Sequence, residues 1–530
     1  MLYSDRHKCV VYTLNKEQIT PILAIIPEAK QVNGNSVTVP LTLRNSQILR
    51  HLGHEAMSPI VAPNVYSFPS KYPAPRPHQY IASAFKTLYP RNMDVSDMRV
   101  GKTLASLWAI DWLMLQGIIH KCLIVSPLST LERVWATEIE TNFYGRRTAT
   151  VLYGTREQRL KLLDKPSDFM IINPEGIKVG SKRVGRGLQL GELAKQIIAR
   201  KDIDLVLIDE ISAYKDGSTD RYKVLDGILH AKPDAWRWGL SGTPAPNAPT
   251  DAHAIARLIY GKEGKPESFQ SFKMRTMNRV SEFKWVPRPG AEQAVFDLLQ
   301  PAIRFTRKEL GFPPLSYETR DIELSAKQKQ AYEAMRKDLE IWTHDGRRID
   351  AVNEAALRTK LIQIACGAVY GADHKVYDVD ARPRLDMLND IIEEAGGKIL
   401  VFAPLTSVIN MIHSHIHKNV GCEIINGTVG AGARNKIFAR FKSDPRLRVL
   451  IADPRTMAHG LNLVEAQTIV WFGPIDSLEL YLQANARIDG PNSAGVVIHL
   501  ASTPVEREIY KRLQEKHSLQ GAILDLLRAG

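Results

Sequence analysis

Gly101-Lys102-Thr103 is followed about a hundred residues later by the apolar run Leu205-Val206-Leu207-Ile208, which ends in Asp209-Glu210. Together these residues could hold a polyphosphate and a divalent cation. Gly101 lets the backbone come close to phosphate oxygens, and a helix starting there offers unpaired N–H groups. Lys102 is a point charge for β- and γ-phosphates, and the Thr103 hydroxyl can ligate Mg²⁺. The apolar run reads as a buried strand that delivers Asp209 to the metal. Glu210 is then placed to position and activate an attacking water. ATP and Mg²⁺ are therefore expected. The G-x-x-x-x-G-K-T pattern is incomplete, with Ser96 at its first glycine and Arg99 within the loop. Gly397-Lys398 has no Ser or Thr after it and reads as an ordinary turn.

Such a loop needs parallel strands ending near one another, and the chain supplies candidates. Between residue 63 and about 260, strand-like runs (Lys121–Ser126, Phe169–Ile172, Leu205–Ile208) alternate with helical patterns (Thr103–Gln116, Glu132–Thr141), as in α/β layers. A second set follows: Lys398–Phe402, Val449–Ala452, Thr468–Phe472 and Val496–Leu500. The expected division is a small N-terminal domain (1–62), a first α/β lobe (63–260), a linker and helical insertion region (261–380), a second lobe (381–502) and C-terminal helices (503–530). The N-terminal part has β-like runs at Cys9–Leu14 and Ser36–Leu43 and a helix-like segment at Ser46–Leu52. Pro63 to Pro77 carries five prolines and reads as an extended linker. Gly176–Arg186, with Lys178, Lys182, Arg183 and Arg186 among glycines, reads as a mobile surface loop. Ser325–Thr343 and Asp350–Gly367 read as long polar helices, and Pro504 to Leu527 as an amphipathic helix pair.

At 530 residues the chain exceeds one compact core. No apolar stretch reaches the roughly 20 residues that span a bilayer. The first residues lack a basic-then-apolar leader. Cys9, Cys122, Cys366 and Cys422 lie far apart without metal-ligand spacing, which fits reduced thiols and a cytoplasmic setting. The formal net charge is +13. Excess Lys and Arg gains affinity for polyanions by releasing counterions from phosphate backbones, which points to nucleic acid, although solubility alone would also accept such a charge.

In these motifs the chain resembles the Swi/Snf-type branch of superfamily-two helicases, DNA-dependent ATPases with two RecA-like lobes, and most of all their compact bacteriophage and bacterial members. The resemblance covers about residues 64–518. It implies that Arg76-Pro77-His78-Gln79 reads adenine, with Gln79 both donating to and accepting from the base edge. Ser126-Pro127-Leu128 with Trp135 and Glu138, Tyr153-Gly154-Thr155-Arg156 and Asn173-Pro174-Glu175-Gly176 match strand-end loops that hold DNA phosphates. Trp135 itself reads as core. Asp209-Glu210-Ile211-Ser212 carries Ser212 where the family usually has histidine. Lys215, Arg221 and Lys223 either lie near DNA or form a solvated helix face. Ser241-Gly242-Thr243-Pro244 matches the motif coupling the ATP site to the DNA track. Leu299 to Pro314 resembles the crossing segment between lobes, and Lys360–Gln363 with Gly367 the helix after it.

In the second lobe, Asn426-Gly427 matches a turn after a strand, and Asp453 to Asn462 matches the segment in which Gly460 faces nucleotide while His459 and Asn462 face the DNA backbone. The last motif, Tyr481 to Gly490, supplies Gln483 and Arg487 to the nucleotide. The family pattern has a second arginine where this chain has Gly490. Such an arginine finger is typically worth on the order of 10³–10⁵ in rate. The resemblance therefore implies either an ATP-driven translocase on double-stranded or branched DNA or on protein–DNA complexes, or a hydrolysis-weak nucleotide-gated clamp or protein scaffold. Residues 1–62 are left for a protein partner. Nothing in the sequence resembles a nuclease cluster or calls for a membrane.

Overall fold

A computed structural model describes residues 1–71, 74–185, 187–265, 267–281, 285–344, 351–370, 376–416, 420–457, 463–488 and 495–515. The chain divides into two compact units, Met1–Thr306 and Arg307–Gly521.

The first unit opens with four short antiparallel strands, Leu2–Ser4, Cys9–Thr13, Lys30–Asn33 and Ser36–Pro40. Period-two alternation in the second and fourth turns Val10, Tyr12, Val37 and Val39 inward against Ile19 and Ile22. The helix carrying those isoleucines, Lys16–Ile25, starts from a reciprocal capping box between Asn15 and Gln18. The helix expected at Ser46 begins earlier, at Leu43, because the Thr42 hydroxyl caps it by accepting from the Asn45 N–H at 3.1 Å.

The proline-rich stretch is extended but is not a free linker. Tyr66 donates to Asp111 Oδ2 (2.7 Å), Trp108 Nε1 donates to the Pro69 carbonyl (2.6 Å), and Phe68 meets Tyr66, Tyr80 and Trp108 edge-on. Aromatic residues between the prolines fasten it to the body of the unit.

The main sheet of this unit has seven strands. They are β1 (Arg91–Asp94), β2 (Lys121–Val125), β3 (Ala149–Val151), β4 (Phe169–Ile172), β5 (Ile203–Asp209), β6 (Trp236–Leu240) and β7 (Ala302–Ile303). Their spatial order is β7-β1-β6-β5-β2-β4-β3 and every pairing is parallel. Helix α1 (Pro77–Leu88) precedes β1, and α2 (Lys102–Leu115) follows it. α2 is buried almost all round, including Leu107, Trp108, Ile110 and Leu113, so it is apolar without a polar stripe.

Two further expectations change. Gly176–Arg186 is not a simple loop: Lys182–Val184 pairs with Gly187–Gln189 as a hairpin. The helix expected at Glu132–Thr141 is a π-helical stretch, Leu131–Ala136, continued by an α-helix over Thr137–Phe143. The crossing segment contributes β7 to the edge of the first sheet. Of the expected C-terminal helix pair, residues 504–515 are helical and the remainder lies outside the described residues.

The second unit holds β8 (Ser316–Asp321), β9 (Lys398–Phe402), β10 (Gly421–Ile425), β11 (Leu447–Ala452), β12 (Ala466–Trp471) and β13 (Val496–Ala501). They form a six-stranded, all-parallel sheet in the order β8-β13-β12-β9-β11-β10. The fold is thus α/β, with two parallel sheets flanked by helices, helical insertions and a small N-terminal sheet. Among the described residues no helix is long and apolar enough to cross a membrane.

His499 on β13 stacks on Tyr510 at 4.1 Å and shares a 2.7 Å hydrogen bond with the Tyr481 hydroxyl. Burial pushes its pKa down to about 4. The folded value lies below the ordinary histidine value near 6.5, so between these pH values the unfolded chain binds the extra proton. Stability therefore rises with pH through this window and falls on acidification. Lowering the pH from 7.5 to 5 should cost on the order of 2 kcal/mol from this residue. His499→Phe should remove that share from the pH dependence of the urea midpoint.

Candidate nucleotide site

Strand register brings the expected residues of the first unit to one edge. Asp209 at the end of β5 is level with Leu240 on β6, which is level with Asp94 on β1. Ile208 pairs with Val125 on β2, so Ser126 emerges beside Asp209. The candidate phosphate loop (96–101), Ser241 and Ser126 follow, and Asp209 ends, adjacent strands at their carboxyl ends, where open parallel sheets bind ligands.

The loop is held from several sides. The Asp97 N–H donates to the Phe305 carbonyl (2.9 Å), and the Phe305 N–H donates to Ser96 Oγ (3.0 Å). Lys102 Nζ reaches back across the loop to the carbonyls of Ser96 (2.5 Å) and Asp97 (3.0 Å). Gly101 has φ +89°, and a Cβ there would lie 2.3 Å from Gln79 Nε2. Glycine adopts this left-handed backbone without strain, and any side chain here would have to displace the end of Gln79. Gln79 is thereby packed under the loop, and its Oε1 accepts from the Arg76 N–H at 2.9 Å. Arg76 is exposed at the start of α1. The neighbouring His78 bonds the Val100 carbonyl at 2.7 Å.

Behind the loop, Lys86 and Asp94 form a fully buried ion pair at 2.5 Å. Burial alone would raise the Asp94 pKa, but the charges of Lys86 and Lys102 and the bonds from Lys86 and the Ser96 N–H outweigh it and hold it low.

Both carboxylates are oriented. Asp209 Oδ2 accepts from Ser126 Oγ (2.8 Å) and Trp135 Nε1 (2.9 Å), and Oδ1 accepts from the Glu210 N–H (3.0 Å). Outer donors of this kind orient metal-ligating carboxylates. Glu210 has φ +50° and ψ +52°, a left-handed conformation that is costly for a non-glycine residue. Its Oε1 accepts from Ser212 Oγ (3.0 Å) and Ser241 Oγ (3.4 Å). Ser212 thus contacts the second carboxylate directly. Among the described residues no three His, Cys, Asp or Glu side chains gather as a metal cage. Asp209 and the Thr103 hydroxyl fit a Mg²⁺ whose other ligands are phosphate and water oxygens.

The residues expected near nucleic acid fall into two groups. Ser126, Asn173, Ser241, Thr243 and Asn426 are buried. Ser126 and Ser241 serve the two carboxylates, Asn173 Oδ1 accepts from Arg159 (3.3 Å), and Asn426 Oδ1 accepts from Thr428 Oγ1 (2.7 Å). The Thr243 hydroxyl has no partner among the described residues. Arg156 is exposed at the start of its helix, and Lys215 is half-buried. Asn173 follows β4, four strands from β1. At about 4.8 Å per strand that is roughly 19 Å from the phosphate loop.

In the second unit Gln483 is buried with neither amide atom partnered among the described residues. Leaving such an amide unpaired costs about 1–3 kcal/mol, which a polar ligand would recover. Arg487 Nε donates to the Gln483 carbonyl at 2.8 Å. His459, Gly460, Asn462 and Gly490 lie outside the described residues.

The model of the SNF2-related domain matches residues 95–366. The chain belongs to the SNF2-related family. A helicase conserved C-terminal domain matches residues 383–489 of this SNF2-related chain. It is 25% identical over 483 residues to putative protein p41 of Acyrthosiphon pisum secondary endosymbiont phage 1, covering 86% of this chain and 98% of that protein. It is 23% identical over 483 residues to human chromodomain-helicase-DNA-binding protein 6, covering 82% of this chain but 17% of that protein. A SWI2/SNF2 ATPase core of Sulfolobus solfataricus in complex with dsDNA aligns over 86% of this chain and 94% of its own, at 19% identity and a TM-score of 0.39.

Some contacts of this SNF2-related chain have no signal in the sequence. Trp135 is core, as read, but its indole N–H also serves Asp209. Arg304 lies 3.7 Å from Asp97. The Lys86–Asp94 pair could be sought only as an isolated lysine in an apolar helix face facing an acidic strand end.

Proposed function

We propose that this chain is an ATP-dependent translocase acting on double-stranded or branched DNA or on protein–DNA complexes. The observation that carries the reading is the pair of oriented carboxylates. Asp209, turned by Ser126 and Trp135, would hold Mg²⁺ together with Thr103, and Glu210, tied to Ser212 and Ser241, would take the proton of an attacking water. Lys102 would exchange its loop carbonyls for phosphate oxygens, and Gln79 with Arg76 would read the base. Mg²⁺, when bound, supplies charge neutralisation at the phosphates. Gln483, Arg487 and Gly460 are proposed as further nucleotide-binding residues. Arg156, Asn173, Lys215, Thr243, Asn426, His459 and Asn462 are proposed for the DNA side. The net charge of +13 and relatives named helicase-DNA-binding proteins support a DNA partner. A protein partner for residues 1–62 and a cytoplasmic setting belong to the same proposal.

ATP turnover measured with and without duplex DNA at low salt tests it. Duplex should stimulate turnover, and the stimulation should fade as salt rises. Lys102→Ala should weaken ATP binding by about 1.5–3 kcal/mol, roughly 10- to 150-fold, the range for a hydrogen bond to a charged group. Gly490 favours a second reading, a nucleotide-gated clamp or scaffold. ATP and DNA binding without turnover would establish that reading and defeat the translocase.

A further inference from the structure

Lys86 on α1 and Asp94 at the end of β1 are both fully buried, and their ion pair measures 2.5 Å. Burial lowers the Lys86 pKa and the Asp94 charge opposes it, so each group keeps its charge because of the other. Taking both charges out of water costs about as much as their attraction returns, and apolar side chains of similar size would join α1 to β1 equally well. The pair therefore calls for a reason beyond holding the core together.

A second bond supplies one. Lys86 takes Asp94 Oδ2, and Asp94 Oδ1 accepts from the Ser96 N–H at 3.1 Å. Ser96 opens the candidate phosphate loop, and its other polar groups are fixed as well. Its Oγ accepts from the Phe305 N–H at 3.0 Å, and its carbonyl accepts from Lys102 Nζ at 2.5 Å. The carboxylate thus holds the first residue of the loop by a charge-assisted bond, and that residue holds Lys102. An apolar pair would offer the Ser96 N–H no acceptor. The Lys102 charge acts on both members of the pair, favouring ionised Asp94 and opposing the charge on Lys86. The three charges are therefore close enough to feel one another. Without Lys86, Asp94 would set a negative charge behind a loop that receives a triphosphate.

We infer that Asp94 and Lys86 are positioning residues of nucleotide binding: Asp94 anchors the start of the phosphate loop at Ser96, and Lys86 keeps that anchor from repelling the phosphates. The inference rests on the ATP reading above and gives neither residue a contact with the nucleotide. Losing the anchor frees the loop, which must then be ordered at the moment of binding. Nucleotide affinity, more than the chemical step, should therefore register the pair.

Calorimetric titration of the full chain with Mg·ADP, well below each thermal midpoint, tests both halves. Lys86→Met/Asp94→Leu fills the space without charge, and its thermal midpoint should stay within a few degrees of the native value. Its affinity should fall about tenfold, the scale of one hydrogen bond to a charged group. Lys86→Met alone leaves the carboxylate uncancelled and should lose on the order of 10²-fold, so adding Asp94→Leu recovers affinity. Lys86→Gln/Asp94→Asn keeps an acceptor for Ser96 in a neutral pair and should come within about threefold of native. In each variant kcat with duplex DNA should change less than affinity. A purely structural pair would shift the midpoints and leave the affinity of the folded chain alone. Native affinity in Lys86→Met/Asp94→Leu would overturn the anchor, and affinity in Lys86→Met no weaker than in that double variant would overturn the charge role. If the apolar double variant does not fold, Lys86→Met against Lys86→Gln/Asp94→Asn decides, and equal affinities overturn the proposal. A native chain that does not bind Mg·ADP would remove the ATP reading and this role with it.

Discussion

Glu210→Gln is expected to lower ATP turnover by about 10²–10⁴-fold while ATP binding persists, the usual contribution of a positioned general base. The substitution keeps the shape of the side chain. A glutamine carbonyl at Oε1 can still accept from Ser212 Oγ and Ser241 Oγ, which reach Glu210 at 3.0 and 3.4 Å. The left-handed backbone is the same for both residues, so folding should be unaffected. What is lost is the ability to take a proton from water. Single-turnover hydrolysis alongside nucleotide affinity separates the two. Turnover within threefold of native would assign proton transfer to another group, and a parallel loss of affinity would make Glu210 a binding residue.

Arg384→Ala should destabilise the second unit by about 3–5 kcal/mol, the cost of removing one partner from a buried ion pair. Arg384 and Glu506 are almost fully buried, and Arg384 Nη2 donates to both Glu506 oxygens at 2.7 and 2.9 Å. The same guanidinium donates to Ser502 Oγ (2.8 Å) and to the Phe472 carbonyl (2.5 Å). One side chain therefore joins the helix Arg382–Ala395, the end of β12 and the start of the helix over 504–515. Alanine would leave Glu506 charged and buried, with the Ser502 and Thr503 N–H groups at 2.8 and 3.1 Å as its remaining described backbone donors. Arg384→Lys should recover only part of the loss, because a single ammonium cannot span these partners. Urea unfolding of the full chain checks this. A midpoint shift equivalent to less than 1 kcal/mol would mean the pair relaxes to water.

The strands legible in the sequence are those whose burial is apolar. Phe169–Ile172 and Lys398–Phe402 are observed at the residues expected, since each is buried on both faces and reads as a continuous hydrophobic run. β1 has no such run: Arg-Asn-Met-Asp is stabilised by polar partners, with Asp94 on Lys86 of the preceding helix and Arg91 donating to the carbonyls of Tyr260 and Pro233 far along the chain. β8 is a polar, exposed edge strand, and β7 is two residues long, too short to leave a pattern. Gly101, Lys102, Asp209 and Glu210 could be read because their chemistry depends on sequence spacing. The donors that orient the carboxylates could not, because Ser126, Trp135 and Ser241 meet them only through the sheet register.

The π-helical stretch Leu131–Ala136 places Trp135. A π turn holds one residue more than an α turn, and each α-helical residue advances about 100° around the axis. Losing one residue from this stretch would restore regular α geometry and swing the indole about that angle away from Asp209. The number of residues between Ser126 and Trp135 is thus as much a determinant of the carboxylate's orientation as their identity. This segment should accept substitutions more readily than deletions.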